Sequence, residues 1–289
     1  MSSALLLLII LPLLPPVEPS AADTTAVPCS ATTFDVDLYG RIVLADARKS
    51  TVTLLSPEGT VEATVGWRGW ESGQFDAPAG VWMRNGIDIF VADYYNHRIQ
   101  RFDRNLNFVS SLATRQSGNP DERFGFPTDV ALSRFGELYV CDSENSRILK
   151  FNRSNTVERS FGGLSAGKGR LRMPTNLEIG PADRVYVLDG DKVQVFDGFG
   201  NYVRTIGEGL FSGNTVMSAD NRGLVVWDAG RMFFFDADDS PVGVTESGEG
   251  PGKRVEKLRG LVVSGDDIYV LTVEGIQIAR GVRPSVLTK

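Results

Sequence analysis

The sequence predicts an all-β protein: a six-bladed β-propeller of four-stranded antiparallel blades, preceded by an N-terminal signal or anchor segment. Three observations carry that prediction. A strand–turn–strand unit appears in six copies spaced by roughly 40–50 residues, the period of propeller blades. The 31 glycines and 14 prolines among 289 residues are spread along the chain, as many short strands joined by tight turns require. No long run carries helical periodicity.

The unit is clearest in two copies, "GIDIFVADYYNHRIQRFDRNLNFV" from Gly86 and "FGELYVCDSENSRILKFNRSNTVERSF" from Phe135. In each, an apolar strand ends in Asp (Asp93, Asp142) and a turn with Asn follows (Asn96, Asn145). Arg and Ile come next (Arg98 and Ile99, Arg147 and Ile148), and an aromatic closes the frame (Phe102, Phe151). The frame returns from Asp183, more loosely from Arg222 and Tyr39, and in eroded form from Gly265, where Thr272 takes the Asp slot. Between copies, "SGQFDAPAGV", "ERFGFPTDV" and "GRLRMPTNL" each set a proline two residues before a short strand, which reads as the linker from one blade to the next. In the third copy the four strands are "TDVALS", "ELYVCD", "RILKFN" and "TVERSF", with the apolar–polar alternation of sheets stacked face to face. The last copy shows three strands up to Arg280; its fourth is expected either from "PSVL" at the C-terminus or from the segment near Val27. The organisation that follows is 1–22 signal peptide or uncleaved anchor, 23–33 linker or closing strand, and 34–289 propeller.

At the N-terminus, "ALLLLIILPLL" has the length of a signal-peptide apolar region and is short for a bilayer span; Ser20 and Ala22 stand as small residues before a cleavage point, and no basic residue precedes the run. The expectation is export to a periplasmic, cell-envelope or extracellular location, with membrane contact only through this segment. The formal net charge of −6 disfavours nucleic acid and anionic lipid as partners. Of the two cysteines, Cys141 lies in an apolar strand and reads as a small core residue, and nothing pairs it with Cys29.

The combination of "FDAPAGV" with "IFVADYYNHRIQRFD" resembles the NHL-repeat six-bladed β-propeller family, in its exported bacterial type, over about residues 34–280. The resemblance implies the propeller fold, favours an N-terminal strand in the last blade, and says little of function, because propellers host unrelated roles.

In the repeat, Asp93, Asn96, Arg98, Asp142, Asn145 and Arg147 read as structural turn residues, the carboxylates accepting turn amides and pairing with the arginines. The single histidine, His97, occupies a slot that is Ser146 in the next copy, so the repeat itself does not need an imidazole there. One histidine cannot supply a three-imidazole zinc site, and no nucleophile elbow surrounds it. The expectation is therefore a non-enzymatic binding or scaffold module without a cofactor. Its ligand, a protein, peptide or glycan, is expected on a face built by turns and linkers: Trp67, Arg68, Trp70, Tyr94, Tyr95, His97, Arg115, Arg123, Lys168 and Arg170. The alternative is a divalent-metal-dependent hydrolase or lactonase, with calcium or another divalent cation held in a central channel by Asp35, Asp129 and Asn176 at the starts of inner strands.

Overall fold

The middle strands of each repeat are nearly continuous apolar runs, the pattern of strands covered on both faces, whereas the outermost strands are half polar. A computed structural model describing residues 24–25, 30–212, 214–245 and 258–281 follows this division. It contains six four-stranded antiparallel sheets, the blades of a six-bladed β-propeller. In chain order after a two-residue strand β1 (Thr24–Thr25), the first sheet is β2 (Thr33–Val36), β3 (Ile42–Asp46), β4 (Thr51–Leu55) and β5 (Val61–Val65). The second is β6 (Pro78–Trp82), β7 (Asp88–Asp93), β8 (Arg98–Asp103) and β9 (Phe108–Leu112). The third is β10 (Pro127–Leu132), β11 (Leu138–Asp142), β12 (Arg147–Phe151) and β13 (Val157–Phe161). The fourth is β14 (Pro174–Ile179), β15 (Val185–Asp189), β16 (Lys192–Phe196) and β17 (Tyr202–Ile206). The fifth is β18 (Val216–Asp220), β19 (Gly223–Asp228), β20 (Arg231–Phe235) and β21 (Pro241–Val244). The last is β22 (Gly260–Ser264), β23 (Asp267–Leu271) and β24 (Ile276–Ala279), with β1 beside β24. Thr24 pairs with Gln277 and Thr25 with Ile276, so the N-terminal segment, a few residues before Val27, supplies the fourth strand of the last sheet. Residues 1–22, Val27, Cys29, the "PSVL" segment and residues 246–257 lie outside the described residues.

The chain divides into two compact units, one of residues 30–177 with 199–202, the other of 178–198 and 203 onward with the N-terminal strand. In the first unit, an apolar core formed by Val43, Val52, Leu54, Phe75, Val81, Ile89, Val91 and Phe102 joins the first and second sheets. In the second unit, one such core lies between the fourth and fifth sheets, around Tyr186, Val195, Met217, Leu224 and Phe233. Another, around Trp227, Phe234, Leu261, Ile268 and Val270, lies between the fifth and sixth. β11, β15 and β19 are buried at every position, while β5 and β9 are mostly exposed. The linkers add a buried apolar plug, Phe75 in one unit and Phe211 in the other. The glycine before each plug makes room for it. A Cβ on Gly66, which has a φ of +106°, would meet the Phe75 ring at 2.6 Å.

What fixes the linkers to the hairpins is the strand-end aspartate. Asp93 is fully buried and accepts from the linker amide of Asp76 at 2.8 Å, from Asn96 Nδ2 at 2.9 Å and from Arg98 Nε at 2.8 Å. The Arg98 guanidinium then continues into the linker and donates to the carbonyls of Trp70 at 2.7 Å, Glu71 at 3.0 Å and Gln74 at 2.9 Å. Burial pushes the Asp93 carboxyl above its ordinary value, against the pull of these donors. The third sheet repeats the clamp. Asp142 accepts from Gly125 N at 3.1 Å, Asn145 Nδ2 at 2.7 Å and Arg147 Nε at 2.9 Å, and Arg147 Nη2 donates to the Arg123 carbonyl at 2.7 Å. In the fifth sheet the hairpin is two residues shorter, the Asn is missing, and Arg231 in the arginine slot lies over the Phe233 ring, so hydroxyls take over: Asp228 accepts from Ser212 N, Ser212 Oγ and Thr215 Oγ1.

Among the described residues, Asp46 of the first sheet accepts only from Arg48 N and Lys49 N of its own turn, with Lys49 Nζ 3.8 Å away. The two aspartates should therefore differ in cost. Asp93→Ala leaves the buried Arg98 charge without its counter-ion, and Arg98 Nε and the Asp76 amide without their acceptor, and is expected to lose about 3–5 kcal/mol. Asp46→Ala is expected to lose about 1 kcal/mol. Urea unfolding of both variants checks this, and equal losses would contradict the clamp.

Candidate functional site

The hairpin between β7 and β8 puts His97 in a left-handed conformation, with a φ of 51°. The corresponding slots in the first and third sheets are Ser50, at 56°, and Ser146, at 50°. The turn thus dictates the backbone and leaves the side chain free. That side chain is half-buried rather than fully exposed: Nδ1 accepts from the backbone N–H of Phe126 at 3.0 Å, and the ring lies edge-on to Phe126 at 4.3 Å. An amide can only donate, so the neutral imidazole carries its proton on Nε2. Burial and then the Arg115 guanidinium, 3.2 Å from Nδ1, hold the His97 pKa below its ordinary value. The bond matters because Phe126 precedes Pro127 and has a φ of 47°, a strained conformation for a bulky residue.

Around this pair the first unit gathers Tyr94, 5.2 Å from the Phe126 ring, and Tyr95, 4.9 Å from Tyr94. Arg115 lies over Phe126 and is ion-paired with Glu144 at 3.0 Å. Phe126 and Glu144 were not legible as members of this cluster, since they come from a linker and from a hairpin of the next sheet. Trp67, Trp70 and Tyr95 stand 63%, 62% and 54% exposed. Trp70 is nonetheless fixed at both ends: its carbonyl accepts from Arg98, and the Arg98 guanidinium lies 5.5 Å from its ring. Arg68 pairs with Asp76 at 3.3 Å. Arg123 donates to the Ser117 carbonyl at 2.7 Å and packs its own loop. Lys168 and Arg170 are exposed on the linker ahead of β14, which also bares Leu164 and Met173, at 77% and 66%.

The inner-strand residues are arranged differently from the expected common ring. Asp129 pairs with Cys141 across the sheet, immediately before the strand-end Asp142. Asp35 pairs with Val43, three residues before the strand-end Asp46, and so lies two residue pairs further along. Asn176 does meet Asp129, donating from Nδ2 to Oδ2 at 2.5 Å. The same oxygen accepts from Leu177 N at 2.9 Å. Asp35 is engaged elsewhere, with Met83 N at 2.8 Å and Arg84 Nε at 3.2 Å. In the second unit Ser218 Oγ accepts from Val263 N at 3.0 Å. These contacts share one logic: an inner-strand oxygen takes an amide of the next inner strand. Among the described residues no three His, Cys, Asp or Glu side chains are grouped to hold a metal ion. Burial pushes Asp129 up to about 7, the donors only partly opposing it, and raises Asp35 against the pull of Arg84.

Residues 124–151 match the NHL repeat. Over 139 residues the chain is 31% identical to Protein brain tumor of Drosophila melanogaster, covering 47% of this chain and 13% of that protein. Over 203 residues it is 26% identical to the probable peptidyl-alpha-hydroxyglycine alpha-amidating lyase of Caenorhabditis elegans, covering 69% of this chain and 55% of that protein. The chain thus spans from about one eighth to just over half of these curated relatives. The solved virginiamycin B lyase from Staphylococcus aureus superposes with a TM-score of 0.58 at 12% identity, covering 85% of this chain and 79% of that chain, a likeness of fold. These findings overturn the expectation of a non-enzymatic module, since lyases stand among both the sequence and the fold relatives. That expectation rested on the scarcity of histidine, and a carboxyl titrating near neutrality also transfers protons.

Asp129 yields a pH test. Its folded-state pKa lies above the unfolded value, so the native form keeps a proton that the unfolded chain has lost, and stability falls as pH rises from about 4 to about 7. The slope is at most about 1.4 kcal/mol per pH unit. Relative to the native chain, Asp129→Asn should therefore gain melting temperature progressively over that range. A difference independent of pH would contradict the assignment.

Proposed function

Because this chain is an NHL-repeat β-propeller, we propose that it is a recognition module that binds a protein or peptide through the hairpin and linker surface of its first unit. The observation that carries the reading is the presentation of Trp67, Trp70 and Tyr95: widely exposed side chains on a backbone held by the Asp93–Arg98 clamp. Aromatic anchors already ordered in the free protein lose little entropy on binding, and Trp and Tyr are the residues that dominate interface energetics. Arg68 and the Arg115–Glu144 pair flank them as a polar rim.

A displayed peptide library selected on the native chain tests this. Enriched peptides are expected to lose about 2 kcal/mol or more of binding on Trp67→Ala or Trp70→Ala. Trp67→Ala should unfold within about 0.5 kcal/mol of the native chain, because the side chain it removes is solvent-exposed, whereas Trp70→Ala also removes the ring contact to Arg98 and should cost about 0.5–1 kcal/mol. Peptides that bind native and variant chains alike would place recognition elsewhere.

A second reading, proton-transfer catalysis, has Asp129 in its favour, a buried carboxyl brought near neutrality and oriented by Asn176. The test is to incubate the chain with a peptidyl-α-hydroxyglycine, the compound class for which its lyase relative is named, and follow release of the peptide amide. Turnover that disappears in Asp129→Asn supports this reading, and absence of turnover removes it for that class.

A further inference from the structure

At the outer end of the second and third sheets, away from the aromatic hairpins, a cleft of about 200 Å³ opens between them. Its lining is mixed: Phe90 and Leu112 of one sheet and Leu132 and Leu138 of the other form an apolar patch, beside the polar Ser110 and Asn155. Two guanidinium groups, Arg101 and Arg153, also line it. Their situations differ. Arg101 is neutralised by Asp88, with Nη2 at 2.7 Å from Oδ1. Arg153, exposed on the β12–β13 turn, donates through Nε to the Phe135 carbonyl, and no carboxylate pairs with it among the described residues. The cleft therefore joins a patch of apolar side chains to one uncompensated cation fixed by a backbone contact.

We infer that this cleft binds the C-terminal residue of a peptide, its apolar side chain in the cavity and its free carboxylate on Arg153. The size supports one residue: sites for whole drug-sized ligands run from about 300 to 1,000 Å³, and this cleft falls short of that range. The charge selects the carboxylate, since a planar guanidinium makes paired, charge-assisted hydrogen bonds to one. Capture of a chain terminus is an established mode of peptide recognition. The aromatic surface of the preceding section shares none of these residues, so the two readings stand or fall separately.

The experiment uses fluorescence anisotropy of a labelled pentapeptide, Gly-Ser-Gly-Ser-Leu, as free acid and as C-terminal amide, with the full chain. The acid is expected to bind about ten-fold more tightly than the amide. Arg153→Ala should remove that preference, acid and amide then binding alike, without changing the melting temperature, and Trp67→Ala should leave the preference intact. Leu132→Gln, which makes the wall polar, should weaken both forms. Equal binding of acid and amide, no binding of either, or an acid preference that survives Arg153→Ala would overturn the inference. So would displacement of bound acid by octanoate at the peptide's own affinity, which would assign the cleft to a fatty acid.

Discussion

The rest of the structure depends on a carboxylate at the end of the second strand of a sheet. Placed there, Asp93 faces its own hairpin on one side and the incoming linker on the other. It is buried, so it must be satisfied by several donors at once, and the chain supplies an amide, an Asn and an Arg. The arginine then spends its remaining N–H groups on the carbonyls of Trp70, Glu71 and Gln74 in the irregular backbone of the linker. A single ion pair thereby ties three pieces of chain together. Its individual worth in water is small, but breaking it in the interior leaves a charge with no partner.

Function is built on that tie. A linker held by its carbonyls can leave Trp67 and Trp70 in solvent without collapsing onto them, which is what an ordered recognition surface requires. The same tie positions the hairpin that carries Tyr94, Tyr95 and His97. His97 in turn caps the strained Phe126 amide and so conveys the order of one hairpin to the next linker. On the inner strands a different device operates, in which Asp35, Asp129 and Ser218 each take an amide from the neighbouring sheet. Asp129 is costly in that role because its charge is buried without a cation, and that cost is what brings it into the range of proton transfer.

The sheets and the clamp were legible because both leave a periodic record: an apolar run, an Asp, an Asn, an Arg, and a proline before the next strand. The strand supplied by Thr24 and Thr25 was legible only as one of two alternatives, favoured by the family resemblance, since two polar residues have no strand signature of their own. The inner-strand register was hidden for another reason. Asp35 and Asp129 are each the third residue of their strand, but Asp35 stands one residue before the last residue of β2, Val36, and Asp129 three before the last of β10, Leu132, so they occupy different rungs. The membership of Phe126 and Glu144 in the His97 cluster needed the packing of one sheet on the next. The number of histidines was a poor guide to chemistry, because burial changes what an ordinary carboxyl can do.

Native-state hydrogen exchange on the linker between Val65 and Pro78 tests the central claim most directly. If the Asp93–Arg98 clamp orders this segment, the amide of Asp76 will exchange as slowly as the strand amides of β8, and Arg98→Lys, which cannot span the three carbonyls, will release it while β8 stays protected. Fast exchange of the linker in the native chain, or no change in the Lys variant, would mean that the aromatic surface is not held as described.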